Sequence, residues 1–418
     1  MVKRFSISFI LLGFCLSLLA QTTKTGVLVV GNTTGGLAAA VQSARSGAKT
    51  IYLPQSLSIS ARFSEEDLPY LEKIKNHYAL KVKKRSRQTD SIISSKIRLD
   101  QASKLIKEIS DTVKNLSLNY NNAIDQIKKD GKGWEVRLKG GQKIKSDVVV
   151  DATENLSITS MLKIDVKKTM AIPGTAKNLF DNKLYRSTVA LGFQEEANNE
   201  RSVSTIPLGS LIPQGFENFI IVPQKIGQFR PLSMSAGQAA GTIASYCAFF
   251  NTTTKNISVR VVQGELLAYD ALLFPYSDIE SNDPNFLAFQ RMGLSGLIRP
   301  KIGKDGNLNK IRFDTAGTIS AVELRSPMKE FYTRSQIWFA DNRNATLSIG
   351  DAISLFMFTA SRGEELKKEI EEGWKVSFKL NSDFDIKRNI TRKEFAILAD
   401  RYLQPYNVRV DLAGNLLQ

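Results

Sequence analysis

A glycine-containing turn, Gly31–Gly36, combines residue types and spacing that suggest phosphate chemistry. It follows a short apolar run, Gly26–Val30, that is typical of a buried strand, and it precedes Leu37–Arg45, an Ala-rich segment typical of a helix. The amide groups at the start of a helix bind anions, and the helix dipole favours negative charge there. The turn therefore predicts a site for a phosphate group.

The residues around this turn predict a βαβ unit of the dinucleotide-binding type, with Lys49–Leu53 as its second strand. In the pattern G-x-G-x-x-G, Gly31 and Gly36 take the first and third glycine positions, and Thr33 takes the second. Pro54 stands where an acidic residue would bind the ribose hydroxyls. Because a side chain at the second position crowds a diphosphate, two interpretations stay open: a dinucleotide site, or a βαβ unit without nucleotide.

The composition limits other kinds of chemistry. The chain has 418 residues, of which 57 are Lys or Arg and 41 are Asp or Glu, so its formal net charge is +16. With one histidine, His77, and two cysteines, Cys15 and Cys247, the sequence excludes a zinc cluster of His and Cys ligands. A Ser-His-Asp triad would have to use His77. We predict no metal site and assign no catalytic residue.

The N-terminus has the features of a secretory signal peptide over residues 1–20. Lys3 and Arg4 precede the apolar run Phe5–Leu19, and Ala20 provides a small residue for cleavage. The run is short for a membrane span, although an anchor helix is the alternative. We expect a secreted or periplasmic mature chain without a transmembrane segment.

Further along, strand-like segments separated by turn residues predict a β-meander over about 116–145. An apolar strand, Ser146–Thr153, follows and ends in Asp151-Ala152-Thr153. The predicted fold class is therefore α/β: a Rossmann-like βαβ core with an inserted β-meander.

Four later segments occur in a characteristic order. Thr205–Pro213 precedes the apolar segment Glu217–Val222, Arg230 follows, and Gly237–Ala244 opens a helix that Ser235 could cap. Together with the strand ending in Asp-Ala-Thr, this order resembles the secreted FAD-dependent oxidoreductases of the glutathione-reductase-like superfamily.

The resemblance implies an FAD/NAD(P)-binding fold, FAD as cofactor, and a helix N-terminus at Gly237 that points at the flavin. No catalytic side chain follows from it, because a flavin carries the electron pair itself. The chain departs from the family pattern at Glu154, where a glycine is usual, and at Pro223 and Gln224, which replace Ala-Gly. The residues that the resemblance implies for cofactor binding are Gly31, Thr33, Gly35, Gly36, Asp151, Arg230, Gly237, Gln238, Ala239 and Gly241.

The C-terminal region is predicted to be mainly helical. Thr391 and Glu394 form a capping-box pattern before an apolar helix, and this region is similar to S-layer-homology-like repeats. Such repeats bind cell-wall polymer or serve as helical packing units. The predicted domains are an FAD-binding-like domain at 21–254, which includes a reduced substrate region at about 155–205, and a C-terminal region at 255–418.

Two functions remain open at this point. The first is a bacterial FAD-dependent oxidoreductase acting on a small-molecule or glycan-derived substrate. The alternative is a degenerate, non-catalytic member that acts as a cell-envelope binding or scaffold protein. The basic cluster Lys81–Arg87 has two interpretations, a solvated surface or an anion contact. As an anion contact it favours an anionic cell-envelope polymer over nucleic acid, because no aromatic residues interleave its charges.

Overall fold

A computed structural model describes most of the chain. The predicted signal peptide, His77 and the basic cluster Lys81–Arg87 lie outside the described residues. The described residues are 22–54, 112–120, 123–171, 173–175, 182–195 and 201–417.

The elements alternate between strands and helices at first and become mainly helical later. Up to residue 231 they are β1 (Thr22–Val30), α1 (Thr34–Arg45), β2 (Thr50–Leu53), β3 (Leu116–Leu118), β4 (Ile124–Asp130), β5 (Gly133–Leu138), β6 (Lys143–Asp151), α2 (Ser157–Met161), α3 (Val166–Thr169), β7 (Gly174–Thr175), α4 (Asn182–Arg186), β8 (Thr188–Glu195), β9 (Arg201–Pro207), β10 (Phe219–Ile221) and β11 (Phe229–Pro231). After it they are α5 (Ser233–Phe249), α6 (Val259–Ala268), α7 (Phe286–Ser295), β12 (Lys301–Asp305), β13 (Leu308–Arg312), α8 (Ala321–Phe331), α9 (Ser335–Asp341), α10 (Ile349–Ala360), α11 (Glu365–Gly373) and α12 (Arg392–Tyr402). Among the described residues, no helix is both long and apolar enough to cross a bilayer.

The chain forms two compact units. The first contains the described parts of 1–171, 209–226 and 231–257, and the second contains those of 172–208, 227–230 and 258–418. The change of unit after residue 257 lies close to the domain boundary predicted at 254. Segment 172–208, which the sequence analysis grouped with the first domain, belongs to the second unit.

The sheet of the first unit has the order β3-β2-β1-β6-β5-β4. Strands β1, β2, β3 and β6 run parallel, whereas β5 and β4 form an antiparallel meander beside β6. The first half of β6 pairs with β5, and its last residues, 149–151, pair with parallel β10. The predicted α/β fold with a parallel βαβ core and an inserted meander is confirmed. The meander predicted from about residue 116 begins only at β4, because β3 pairs in parallel with β2 as an edge strand.

Apolar strand residues form the core of this unit. Val27 to Val30 are fully buried, as a parallel strand covered on both faces requires. From the meander, Trp134 packs edge-on against Phe219 of β10, with ring centroids 5.6 Å apart, and donates its indole hydrogen to the Asn218 carbonyl. The meander is thereby fixed to β10.

The second unit combines a sheet with the C-terminal helices. The sheet has the order β11-β8-β9-β13-β12. The short strand β7 pairs in antiparallel fashion with residues 204 and 205 of β9. The β12–β13 hairpin turns at Gly306, whose φ is +54°. This hairpin lies within 255–418, which the sequence analysis described as mainly helical.

Three helices of the second unit begin in the same way. Ser320, Ser348 and Thr391 each cap a helix by accepting a hydrogen bond from the amide three residues later. The predicted capping box of Thr391 and Glu394 is confirmed, and Ser348 forms a second one with Asp351. Helix α6 has the same kind of cap at Ser258. We call α8, α10 and α12, each with the segment before its cap, the three repeats.

The segments before these caps join one another. Ile319, Leu347 and Ile390 are fully buried. The Leu347 amide donates to the Ile319 carbonyl at 3.0 Å, and the Ile390 amide donates to the Leu347 carbonyl at 2.9 Å. The Arg392 amide donates to the Gly317 carbonyl at 2.7 Å and so connects the third segment to the first. Each repeat thus contacts the other two through its backbone.

The carboxylate of Glu394 stabilises the start of α12 through an ion pair and hydrogen bonds. It pairs with Arg388 at 2.9 Å, and it accepts hydrogen bonds from the Ser382 hydroxyl at 2.6 Å and from the Thr391 amide at 2.8 Å. Burial by itself would raise the pKa of Glu394, but these hydrogen bonds outweigh it and lower that pKa overall.

We expect Glu394→Gln to lower the free energy of unfolding by about 2–3 kcal/mol at neutral pH, because the buried partners lose a charged acceptor. A lowered folded-state pKa gives stability that is complete above the unfolded pKa, about 4.3, and is lost as the pH falls through the folded value. Urea unfolding at several pH values should show the wild type losing its advantage over the variant towards acid. If the difference in free energy of unfolding between the wild type and Glu394→Gln did not change with pH, the ionised carboxylate of Glu394 would not be the source of the stability.

Candidate nucleotide site

The candidate site lies at the carboxyl edge of the parallel strands in the first unit. Val30, at the end of β1, pairs with Asp151 at the end of β6, and α1 begins at Thr34, within the predicted Gly31–Gly36 turn. In open α/β sheets this edge is where ligands bind. The structure therefore brings the predicted turn and Asp151 together.

Thr33, at the second glycine position, is the N-cap of α1. Its hydroxyl oxygen accepts a hydrogen bond from the Gly36 amide at 3.1 Å, and the hydroxyl donates to the Ala152 carbonyl at 2.8 Å. Gly31 has a φ of +127°, and a Cβ there would overlap the Ala152 backbone. Thr33 thus links the turn to the end of β6. Its hydroxyl also binds the Gly36 amide, which a bound phosphate would need as a donor.

A second hydroxyl binds the turn from α5. The Gly35 amide donates to Ser233 Oγ at 3.0 Å. The prediction that Ser235 caps α5 was wrong, because the helix begins at Ser233 and its N-cap, Leu232, has no side-chain cap. The sequence analysis missed Ser233, since its partner lies 198 residues away and no local pattern connects the two.

The carboxylate of Asp151 is fully occupied by donors from the residue pair after β6 and from α2. One oxygen accepts from the amide and hydroxyl of Thr153, at 3.1 and 2.6 Å. The other accepts from the amide and hydroxyl of Thr159, at 2.7 and 2.6 Å. A carboxylate has about four acceptor positions, so these four donors fill it. Asp151, which is completely buried, acts here as an internal cap of α2.

The other glycines of the predicted set lie where α1 and α5 pack together. A Cβ on Gly237 would overlap the Gly35 carbonyl and lie 2.7 Å from Gly35 Cα. One turn later, a Cβ on Gly241 would overlap the Ala39 carbonyl. Both helices thus carry small residues four positions apart, which lets their backbones touch. Helix packing accounts for these glycines.

The remaining predicted residues are also engaged within the protein. Gln238 donates its side-chain amide to Gln42 of α1 at 3.2 Å, and Ala239 is fully buried. Arg230 lies in the second unit, where its exposed guanidinium pairs with Glu195 at 2.7 Å. The structure therefore groups every predicted residue except Arg230 in the first unit.

Two buried prolines stand at cofactor positions of the resembled family. Pro54 follows β2 and supplies neither a carboxylate nor an amide hydrogen for ribose hydroxyls. Pro223 follows β10, and Gln224 after it is exposed, as is Glu154 after β6. These positions offer no buried polar group towards a ligand.

The described residues contain little reactive chemistry. Burial raises the pKa of the Cys247 thiol to about 12, so it stays protonated and weakly nucleophilic at neutral pH. Burial also raises the pKa of the Tyr52 hydroxyl well above its ordinary value. Within the part of the chain that the structure describes, no three His, Cys, Asp or Glu residues are placed to hold a metal ion.

No family model matches the chain, and no curated protein matches its sequence. Solved structures similar to it include GidA from Aquifex aeolicus, at 17% identity over 31% of this chain and 24% of that chain, with a TM-score of 0.23. The bacillithiol disulfide reductase Bdr from Staphylococcus aureus gives 17% identity over 31% of this chain and 38% of that chain, with a TM-score of 0.23. PqsL from Pseudomonas aeruginosa, described as a probable FAD-dependent monooxygenase, gives 14% identity over 65% of this chain and 95% of that chain, with a TM-score of 0.32. The chain spans less than half of the length of the first two structures.

The residues present do not fit an FAD held as the resemblance implies. Its diphosphate needs amide groups at the start of α1, and its ribose needs an acceptor at the end of β2. The Gly35 and Gly36 amides already bind the hydroxyls of Ser233 and Thr33. Pro54 provides no acceptor side chain.

Proposed function

We propose that the chain is a non-catalytic binding or scaffold protein of the cell envelope, built on a dinucleotide-binding fold that holds no FAD. The observation that carries this proposal is the internal use of the phosphate-binding amides. Ser233 and Thr33 give the start of α1 the hydrogen bonds that a diphosphate would otherwise supply. A ligand would have to displace both hydroxyls, and Thr33 is buried.

The envelope assignment is supported by charge and by the C-terminal repeats. A net charge of +16 favours contact with anionic surfaces, and the basic N-terminal segment before an apolar run favours export. The resemblance of residues 255–418 to S-layer-homology-like repeats, which can bind cell-wall polymer, is the second ground for this proposal. The partner class we propose is an anionic cell-envelope polymer.

A flavin-dependent oxidoreductase of a small-molecule or saccharide substrate is the second candidate. It is favoured by the position of the Gly31–Gly36 turn, which lies at the carboxyl edge of the sheet, where nucleotides bind in this fold class. If a flavin bound there, it would supply the electron-pair chemistry, and the turn would hold its diphosphate.

The purified full chain is expected to be colourless and to leave the fluorescence of added FAD unchanged. It is also expected to sediment with isolated anionic wall polymer and to be released by salt. The double variant Thr33→Gly/Ser233→Ala frees both amides and is the matched control for FAD uptake. A yellow wild-type protein, or saturable FAD binding by it, would overturn the non-catalytic assignment and favour the second candidate.

A further inference from the structure

Helix α5 ends in an exposed aromatic pair. Phe249 and Phe250 are 69% and 58% exposed, and they are the only exposed phenylalanines among the described residues. Their ring centroids lie 5.1 Å apart, and the Tyr246 ring lies 4.8 Å from that of Phe250. We call these three residues the aromatic tip. Side chains without polar atoms gain free energy when such a surface is removed from water.

The aromatic tip lies at the edge formed by the amino ends of β2 and β3, away from the phosphate-binding turn, while β1 and β6 continue past this edge. A Cβ on Gly26 would lie 3.3 Å from the Ala248 side chain, and Gly26 directly precedes the part of β1 that pairs with β2. The tip is therefore separate from the candidate nucleotide site, and either proposed function leaves it available.

Lysines surround this edge. Lys132 Nζ lies 3.5 Å from the Asn251 carbonyl, directly beyond the tip. Lys129 donates to the Glu217 carbonyl at 2.7 Å, and Lys255 pairs with the Glu217 carboxylate. Exposed lysines also precede β2 and β3 at the same edge, namely Lys49 and Lys114.

Near this edge, the described carboxylates Glu217, Asp147 and Asp130 are fewer than the lysines. Glu217 is paired with Lys255, and Asp147 lies near the Gly26 backbone. Asp130 forms an ion pair with Lys145 at 2.9 Å. The edge is thus net positive, as is the whole chain at +16.

We propose that the aromatic tip docks on an anionic lipid bilayer. Phe249 and Phe250 would insert into the interface, and the surrounding lysines would contact lipid phosphates. Apolar aromatic residues bordered by lysines are the composition of interfacial membrane-binding surfaces. A second copy of the chain fits less well, because a symmetric contact would bring two lysine-bearing edges together.

The test uses the full chain with vesicles of phosphatidylcholine alone or mixed with phosphatidylglycerol. In Phe250→Trp, the new indole reports insertion at the tip, since Trp134, Trp338 and Trp374 are all buried. We expect its emission to shift to the blue and to be quenched by brominated acyl chains only with anionic vesicles. The response should weaken as salt is added. An indole that stays unquenched would overturn the proposal.

Variants compared with the wild type test whether vesicle binding depends on the aromatic tip or on other parts of the chain. All of these proteins keep residues 1–20. Phe249→Ser/Phe250→Ser is expected to lose about tenfold or more in vesicle affinity, and Lys132→Gln about fivefold. Val322→Ser/Val376→Ser removes two apolar side chains elsewhere that are more exposed than the phenylalanines, and is expected to bind as the wild type does. Equal binding by the phenylalanine variant would overturn the proposal. So would a tip-dependent dimer, or tip-dependent binding to wall polymer without vesicle binding.

Discussion

Gly237→Ala is expected to destabilise the first unit by about 3 kcal/mol, a large effect for the addition of one methyl group. The new Cβ would overlap the Gly35 carbonyl of the facing helix, and its three nearest atoms would all be backbone atoms of Gly35, which cannot move aside as a flexible side chain would. Helix propensity acts in the opposite direction, because alanine favours a helix over glycine by about 1 kcal/mol. Destabilisation would therefore show that the close approach of α1 and α5 dominates.

Urea unfolding followed by tryptophan emission measures this effect. Gly140→Ala is the control in the same unit, since a Cβ there meets nothing within 4 Å. We expect the control to stay within about 0.5 kcal/mol of the wild type. A Gly237→Ala protein as stable as the control would show that the two helices lie further apart than described.

Asp151→Ala is expected to lower the free energy of unfolding by about 4 kcal/mol, because it leaves two buried amides and two buried hydroxyls without their acceptor. Asp151→Asn keeps the shape, but its NH2 group would face the amide of Thr153 or of Thr159. The hydroxyls can rotate to accept a hydrogen bond, whereas the amides are donors only. We therefore expect the asparagine variant to lose about 2 kcal/mol.

Asp147→Asn, on the exposed face of the same strand, is the control for these variants. Burial raises the pKa of Asp147, and no hydrogen bond of its carboxylate compares with those of Asp151, so we expect a change within about 0.5 kcal/mol. Thermal unfolding of the three variants should rank alanine, asparagine and the control in decreasing order of destabilisation. If Asp151→Asn kept full stability and lost bound flavin instead, Asp151 would be a cofactor residue.

Local patterns predicted a large part of the fold. The continuous apolar run before the turn gave β1, and the capping-box spacing gave the start of α12 at Arg392. Both depend on residues within a few positions of one another. Ser233 shows the limit of such patterns, since its role depends on Gly35 in a distant element.

The sequence predicted which residues belong to the candidate site, but not the contacts that they make. The sequence identified the glycines, Thr33 and Asp151, and it identified Thr33 and Pro54 as departures from a dinucleotide pattern. It did not reveal that Thr33 caps α1 or that the carboxylate of Asp151 is saturated. Those facts depend on which donors lie within about 3 Å in the folded chain.

The sequence by itself determined the charge, the near-absence of His and Cys chemistry, and the presence of a βαβ unit, because composition and short-range periodicity encode them. Only the tertiary structure decided what the glycines are for. A glycine is required wherever a backbone approaches closely, and the sequence does not say whether a phosphate or another helix makes that approach. At Gly237 and Gly241 it is the backbone of α1.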